Sequence, residues 1–390
     1  MAGVQKPLEA VAEQDLQELL TEGVPEGRHI EYKRQLPGNS DDEKREFLSD
    51  VSSFANAAGG DLLYGIEEAG GVPTRLVGVN SADPDAEILR LENIVRTGVE
   101  PRIPGIHLRA VPLANGNNVF VIRVPQSWAP PHMVVFKNLS RFFSRTSAGK
   151  YQLDVAELRA QFLGSANAVE RIRRFRDERL ARIVAGEGAF DMSGPALIVL
   201  HLVPLRLADS GTPFDVRLSG RQTLSLAPLY SNGWDKRYNV DGFATFSRSG
   251  PRIGSYVQVF RHGAIEAVEA RLLDPGQANQ RTIPAMLLAT ELVESVLKYL
   301  AAQRELSVQL PIVVMLGLVG IKGYQVAAGQ RWFLSGVAVD RDIVTCPEVI
   351  VEDWDADVTQ VLRPCLDAIW NAGGFAECDL YDKTGNWQPK

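Results

Sequence analysis

The chain has 390 residues, of which 45% are hydrophobic and 23% are charged, a balance that excludes a wholly disordered protein. Its net charge of −7 at pH 7 excludes nucleic-acid binding by overall attraction, so such binding would need a local basic surface. No apolar run approaches the ~20 residues of a membrane span, and the first 25 residues lack the apolar core of a signal peptide. Three cysteines without CxxC spacing argue against a disulfide framework and a cysteine zinc site, so we expect a cytoplasmic protein without membrane contact.

The first predicted elements are a helix over 7–22 and a strand over 28–35. Side chains alternate along a strand, so Glu31 and Lys33 are expected to share the face opposite to the apolar residues. This places a carboxylate and an ammonium group side by side near the beginning of the chain.

A capping box marks the start of the clearest helix, because the Ser40 hydroxyl can accept from the N–H of Glu43 while the Glu43 carboxylate reaches back. Apolar residues recur at helical spacing until Gly59-Gly60, where glycine ends the helix. A buried strand over 61–66 follows, and Gly65 within it indicates the close approach of another backbone or a ligand.

Later motifs complete a first domain of mixed helices and strands. Asp83-Pro84 begins a helix, and Asn115-Gly116 predicts a hairpin between the strands on either side of it. A second hairpin is expected over 133–136 and 141–145, followed by a short helix over 154–162.

The rest of the chain begins with a basic amphipathic helix over 166–185 and continues with further strands and helices. The predicted fold class is therefore α+β. We predict an N-terminal domain over 1–164, a basic helical linker over 165–189, and a second α/β or α+β domain over 190–390. The second domain is expected to serve as a sensor or in dimerisation.

Acidic residues at strand ends are the main chemical signal. No GxxxxGK[ST] loop, GxSxG elbow or HExxH helix occurs, which argues against a P-loop ATPase, an α/β-hydrolase and a zinc protease. Two or three carboxylates beside a lysine suit Mg²⁺ or Mn²⁺ and an attacking water at a phosphodiester. The alternative is an exposed Glu31–Lys33 ion pair worth less than ~1 kcal/mol.

Several phrases recur together in one known family. Four of them occur in order, namely Glu26, Glu31-Tyr32-Lys33, Phe54-Ala55-Asn56-Ala57-Ala58-Gly59-Gly60 and Gly65-Ile66-Glu67-Glu68. Two more follow, Pro130-Pro131-His132 and Arg141-Phe142-Phe143-Ser144-Arg145. Over about residues 10–163 the chain resembles the Schlafen-type AlbA-like domain of bacterial Schlafen-like proteins.

The resemblance implies a metal site in which Glu26, Glu31 and Glu68 bind Mg²⁺ or Mn²⁺ and Lys33 is a further catalytic residue. Glu67 stays open as the third carboxylate. A spacing of five places Glu26 and Glu31 on opposite faces of an ideal strand, so Glu26 must come from the turn before the strand.

The implied function is a divalent-metal-dependent endoribonuclease that acts on structured, tRNA-like RNA in bacterial anti-phage defence or the stress response. The alternative is a DNA- or nucleotide-binding transcriptional regulator without catalysis, in line with the family's ATP-binding labels. The chain corresponds to one of the two lobes fused in animal relatives. We therefore expect a homodimer, since twofold dimers are the commonest homo-oligomers.

Basic and aromatic residues are interleaved in the second hairpin and the basic helix, a pattern that can hold phosphates and stack bases. RNA is favoured over DNA as the partner. The candidate nucleic-acid-binding residues are Lys137, Arg141, Phe142, Arg145, Arg173 and Arg176. The alternative is a half-buried hairpin with solvated arginines and a helix with an ordinary charged outer face.

Overall fold

The computed structural model describes residues 6, 8–192, 194–205, 215, 217, 220, 225–276, 280–328 and 335–389. The chain divides into two compact units, Met1–Asn167 (unit 1) and Ala168–Lys390 (unit 2). Each unit combines helices with β-sheets, so the predicted α+β class is confirmed. No helix in these described ranges is long and apolar enough to cross a membrane.

The described α-helices that begin in unit 1 are α1 (Glu13–Thr21), α2 (Asp41–Asn56), α3 (Pro84–Gly98) and α4 (Val155–Val184). The predicted capping box is confirmed, because Ser40 accepts from the N–H of Glu43 and the Glu43 carboxylate reaches back. Asp83 likewise caps α3 by accepting from the N–H of Ala86 at 3.0 Å.

The strands of unit 1 are β1 (Ile30–Lys33), β2 (Gly60–Tyr64), β3 (Ile66–Ala69), β4 (Val72–Leu76), β5 (Val99–Glu100), β6 (His107–Pro112), β7 (Asn118–Val124), β8 (Met133–Phe136), β9 (Leu139–Thr146) and β10 (Gly149–Gln152). They form a sheet in the order β1-β2-β7-β6, a second in the order β10-β9-β8-β5, and the hairpin β3–β4. The hairpin predicted at Asn115-Gly116 is confirmed by the antiparallel pairing of β6 and β7.

Helix α2 determines where the polar residues of unit 1 meet. It connects β1 to β2, which pair in parallel, and a parallel pair requires such a crossover. It packs against strands of both four-stranded sheets, and all ten residues from Phe47 to Asn56 are buried. Side chains of the two sheets therefore reach the same helix.

One continuous helix, α4, is found where two helices were predicted over 154–162 and 166–185, so that part of the prediction is wrong. Asp154 does cap its beginning, accepting from the N–H of Glu157 at 2.8 Å. Gly164 costs only about 1 kcal/mol inside a helix, and the good helix formers around it outweigh that cost. The boundary between the two units falls inside α4.

The described strands of unit 2 are β11 (Leu197–Pro204), β12 (Asp235–Asn239), β13 (Gly242–Ser249), β14 (Arg252–Phe260), β15 (Ile265–Glu269), β16 (Thr282–Pro284), β17 (Ile312–Val319), β18 (Gln325–Ala327), β19 (Ser335–Ala338), β20 (Ile343–Thr345) and β21 (Val349–Val351). The helices are α5 (Ala285–Glu305) and α6 (Val358–Ala372).

An eight-stranded sheet in the order β12-β13-β14-β15-β11-β17-β20, with β21 also on β17, forms the centre of unit 2. Every residue of β11 and β17 is buried, as expected of central strands covered on both faces. The helices α5 and α6 contribute residues to its main apolar core. The three cysteines are free and buried.

Candidate functional site

The strand β1 carries two of the predicted site residues on one face, as expected. Ile30 and Tyr32 point into the core, whereas Glu31 and Lys33 share the other face. The Lys33 Nζ lies 2.7 Å from the Glu31 Oε1. Burial would lower the pKa of Lys33, but the bond to Glu31 and the charge of Asp50 outweigh it and raise that pKa.

Glu26 lies in the loop before β1, as the sequence required. Its N–H donates to the Gly71 carbonyl at 2.6 Å, and its Oε1 accepts from the Tyr32 N–H at 2.8 Å. Burial raises the pKa of Glu26, and the negative charges of Glu31 and Glu68 add to that rise. The three predicted glutamates are therefore electrostatic neighbours.

The two acids within β3, Glu67 and Glu68, have different environments. Glu67 pairs with Arg75 at 2.9 Å and with Arg34 at 3.1 Å. The Glu68 Oε2 accepts from the Gly71 N–H at 2.6 Å, on the same turn that holds the backbone of Glu26. Of the two alternatives for the third carboxylate, Glu68 is the one that acts on Glu26.

Arg145 is a buried neighbour of Glu31. Its side chain is 1% exposed, its guanidinium carbon lies 3.7 Å from the centre of the Phe54 ring, and its Nη2 donates to the Glu31 Oε2 at 2.5 Å. Burial would raise the pKa of Glu31, but the ion pairs with Lys33 and Arg145 outweigh it and lower that pKa. The Nε and Nη1 of Arg145 are buried and have no hydrogen-bond partner among the described residues.

Asp50 on α2 is a member of this network that the sequence analysis missed. Its side chain is 1% exposed, and its Oδ1 accepts from the Lys150 Nζ at 2.7 Å. Burial and the charge of Glu31 raise the pKa of Asp50 to about 6. The signal was present, since position 50 shares the buried face of α2 with Phe47 and Phe54, where a carboxylate is unexpected.

The predicted hairpin does form, as β8 and β9, and β10 extends it. Lys137 at its turn is 55% exposed and forms an ion pair with Asp41. Arg141 is exposed and donates to the Gln152 side chain at 2.8 Å. Arg145 was predicted to lie on the same phosphate-binding surface, and the structure corrects this placement, because the side chain points into unit 1 and neutralises Glu31.

The opposite face of this sheet carries aromatic side chains, of which Phe142 is partly buried. Phe142 shares that face with Tyr151, which lies across from Ser144 on the paired strand. The Phe142 ring makes an edge contact with Phe162 of α4, with the ring centres 6.2 Å apart. Tyr151 is 37% exposed and Phe162 is 55% exposed. We call these three residues the aromatic face.

The two arginines predicted from the basic helix lie in unit 2 and are engaged by one carboxylate. The Arg173 Nε donates to both oxygens of Glu348 at 3.0 Å, and the Arg176 Nη1 donates to the same carboxylate at 3.0 Å. Arg176 is only 15% exposed. The structure thus places Arg173 and Arg176 in an ion-pair cluster instead of on a freely charged outer face.

Two residues of the quoted phrases hold unit 1 together. The Asn56 side chain donates to the carbonyls of His132 and Phe143 and accepts from the His132 N–H. His132 is fully buried, with its ring nitrogens at the Pro101 carbonyl and the Ser127 hydroxyl. Burial lowers the pKa of His132, which fits a neutral structural histidine.

Comparison with known proteins identifies the region that contains Glu26, Glu31 and Glu68, which we call the acidic cluster. Residues 26–154 match the family described as Schlafen, AlbA_2. The chain contains a Schlafen AlbA_2 domain. The resemblance seen in the sequence is confirmed for these residues.

Solved structures also resemble parts of the chain. The N-terminal domain of an ATP-dependent DNA helicase RecG-related protein from Nitrosomonas europaea is 26% identical over 30% of this chain and 74% of that chain, with a TM-score of 0.23. The DIP2311 protein from Corynebacterium diphtheriae is 20% identical over 37% of this chain and 31% of that chain, with a TM-score of 0.27. The search of curated proteins gave no match.

The acidic cluster of the AlbA_2 domain does not form a metal-ligand set in this arrangement. Among the described residues, no three His, Cys, Asp or Glu side chains are grouped so that they could hold a metal ion. Glu31 is bound by two cationic side chains, while Glu26 and Glu68 each accept from a backbone N–H. Acidic side chains of β1 and α2 are instead paired with basic ones, Glu31 with Lys33 and Arg145, and Asp50 with Lys150.

Proposed function

We propose that the AlbA_2 domain binds nucleic acid and that RNA is its preferred partner. The observation that carries this proposal is the aromatic face, where Tyr151 and Phe162 present rings to solvent in the same domain as the exposed Lys137 and Arg141. A base stacked on such a ring contributes about 1–3 kcal/mol, whatever its identity. Stacking of this kind requires unpaired bases, which the loops of structured RNA supply and duplex DNA does not.

Exposed basic side chains in the domain that matches the family support the same proposal. Lys137 and Arg141 are exposed in the AlbA_2 domain, and the partner of Arg141 is the uncharged Gln152, so its positive charge is not neutralised there. A net charge of −7 makes such local groups necessary, because the whole chain repels a phosphate backbone. In this proposal the two side chains hold phosphates, while the aromatic face holds bases.

Binding is tested with the full chain and a fluorescently labelled tRNA-like hairpin, with duplex DNA as the competitor. Phe162→Ala should weaken RNA binding about 10-fold through the loss of one stacked base. Leu163→Ala is the matched control, since Leu163 is 57% exposed on the same helix and carries no ring. Equal affinities of the Phe162 and Leu163 variants would refute the role of the aromatic face.

The charge contribution is tested separately. The double variant K137Q/R141Q should weaken RNA binding at low salt and reduce the slope of log affinity against log salt by about 1.4, or ~0.7 for each lost phosphate contact. R96Q/R102Q removes the same charge from two other exposed positions of the AlbA_2 domain and is the control. Equal slopes for the two double variants would show that the contribution is not local.

Metal-dependent RNA cleavage with Mg²⁺ or Mn²⁺ is the second candidate, and it would make the protein a defence or stress endoribonuclease. The observation in its favour is that the charges of Glu31 and Glu68 both act on the Glu26 carboxyl, while Lys33 lies against Glu31. Purified protein is incubated with tRNA and with duplex DNA in Mn²⁺ or in EDTA. Cleavage that requires Mn²⁺ and is lost in E68Q supports this candidate, whereas binding without cleavage favours a non-catalytic regulator.

A homodimer that presents two AlbA_2 domains to one RNA belongs to the same proposal. Mass determination in solution at micromolar concentration tests it. An RNA-binding species of 42.8 kDa, the mass of one chain, would contradict it.

A further inference from the structure

A shallow depression in unit 2 combines arginines with aromatic rings. It lies where β12, β13 and β14 meet the segment after α4, and its volume is about 210 Å³. Phe190 and Phe246 form its floor, with ring centres 4.8 Å apart. Arg237, Arg248 and Arg252, one from each strand, stand around it.

Two of the three guanidinium groups are positioned by the rings, and all three remain accessible. Arg237 lies 4.0 Å above the Phe190 ring, and Arg248 lies 5.6 Å from the centre of the Phe246 ring. An arginine held over an aromatic face loses less conformational freedom when it binds an anion. Arg248 and Arg252 are 61% and 59% exposed.

Their acidic neighbours leave most of their hydrogen-bonding capacity unused. Arg248 lies 3.9 Å from Asp235, and Arg252 lies 3.6 Å from Asp191, and both distances are too long for hydrogen bonds. Arg237 gives one bond, to the Ala189 carbonyl at 3.0 Å. Three guanidinium groups face two carboxylates, so the depression keeps an excess of positive charge.

We propose that this depression is an anion site in unit 2 that takes a phosphate group of a nucleic-acid backbone. Guanidinium forks match phosphate oxygens in pairs, and three of them line this depression. A volume of about 210 Å³ is below that of sites that enclose a whole small molecule, which are about 300–1,000 Å³. A phosphate with its sugar fits better than a complete nucleotide held by its base.

This site is independent of the AlbA_2 domain, because its residues all belong to unit 2. It gives unit 2 a function of its own in contact with a phosphorylated ligand. Neither contact requires the other.

The test uses the full chain with two probes, a labelled 12-nucleotide single-stranded RNA and ATP. R237Q/R248Q/R252Q should weaken RNA binding by about 10-fold at low salt and reduce the salt slope by up to about 2. ATP supplies the same phosphate chemistry from a free nucleotide. Loss of RNA affinity supports the backbone site, and loss of ATP affinity alone replaces the backbone by a nucleotide as the source of the phosphate.

The matched control is K298Q/R304Q/R341Q, which removes three exposed positive charges elsewhere in unit 2. If both triple variants bind RNA and ATP like the wild type, or lose affinity equally, the site is refuted. R248Q/R252Q changes only the two more exposed arginines and serves if replacement of Arg237 disturbs folding. Binding that is lost in the arginine variant but kept in K137Q/R141Q would refute only the surface proposed for the AlbA_2 domain.

Discussion

Replacing Asp50 with asparagine should change the stability of the AlbA_2 domain in a way that depends on pH. The Asp50 carboxyl has a pKa of about 6 in the folded chain against 3.8 as its ordinary value, because burial and Glu31 disfavour its charge. The folded state therefore binds this proton more tightly than the unfolded state. Stability from this group is complete below pH 3.8 and is lost as the pH rises through 6.

The size of the effect follows from the two pKa values of Asp50. A difference of about 2 pKa units corresponds to about 3 kcal/mol of stability lost by pH 8. About half of that is already lost at pH 5, so the step from pH 5 to pH 8 costs the wild type about 1–2 kcal/mol. Asparagine does not titrate, and the D50N variant should avoid this loss.

The assay is urea unfolding of the full chain at pH 5 and pH 8, with hydrogen exchange of residues 41–56 to identify the transition that contains α2. The stability of D50N relative to the wild type should increase by about 1–2 kcal/mol between the two pH values. D42N removes a carboxyl that is 91% exposed on the same helix and is the control. If the difference in unfolding free energy between D50N and the wild type stays constant with pH, the Asp50 carboxyl does not have the raised pKa that the structure indicates.

Two further substitutions test other parts of the fold. Gly65 has a φ of +105°, and a Cβ there would lie 2.9 Å from the Cα of Gly78. G65A should therefore lower the free energy of unfolding in urea by at least about 1–3 kcal/mol. G27A is the control and should lower it little, because the space around Gly27 is open. In unit 2, burial would raise the pKa of Glu266, but the hydrogen bonds from Arg179 and a buried histidine lower it to about 2. The ionised Glu266 carboxylate adds about 3 kcal/mol of stability above pH 4.5, and this stability is lost as the pH falls towards 2. The loss of stability in E266Q should therefore be about 1 kcal/mol smaller at pH 3.5 than at pH 7. A loss that does not change with pH would contradict the lowered pKa of Glu266.

Local signals predicted the elements of the first domain well, because they depend on neighbouring residues. The Ser40 capping box, the Asp83 cap and the Asn115-Gly116 turn all form as expected. Gly65 also behaves as expected of a glycine next to another backbone. Such features require no knowledge of the rest of the fold.

The placement of the charged residues could not be predicted in the same way. Arg145 alternates with its neighbours as an exposed residue of a hairpin would, yet α2 covers that face and turns the side chain into a buried partner of Glu31. Asp50 and Lys150 meet from a helix and a strand that are 100 residues apart. A single sequence contains no signal for such long-range pairs, whereas a carboxylate on an apolar helix face does give a warning.

The two helices predicted around Gly164 show a different limit. A glycine between helical segments often ends a helix, but here the residues on both sides favour helix strongly enough to continue through it. Helix propensity, summed over the whole segment, decides the outcome more than a single residue does.

The strand β12 stands at one end of the described order of the eight-stranded sheet, with Asp235, Lys236 and Arg237 exposed in succession. The outer strand of a sheet offers unpaired backbone groups to other chains, and charged side chains discourage that pairing. Arg237 therefore contributes to solubility as well as to the anion site. An apolar residue at position 237 would weaken the anion site and would also leave the sheet edge open to self-association. Glutamine at this position would weaken the anion site but keep a polar side chain at the edge.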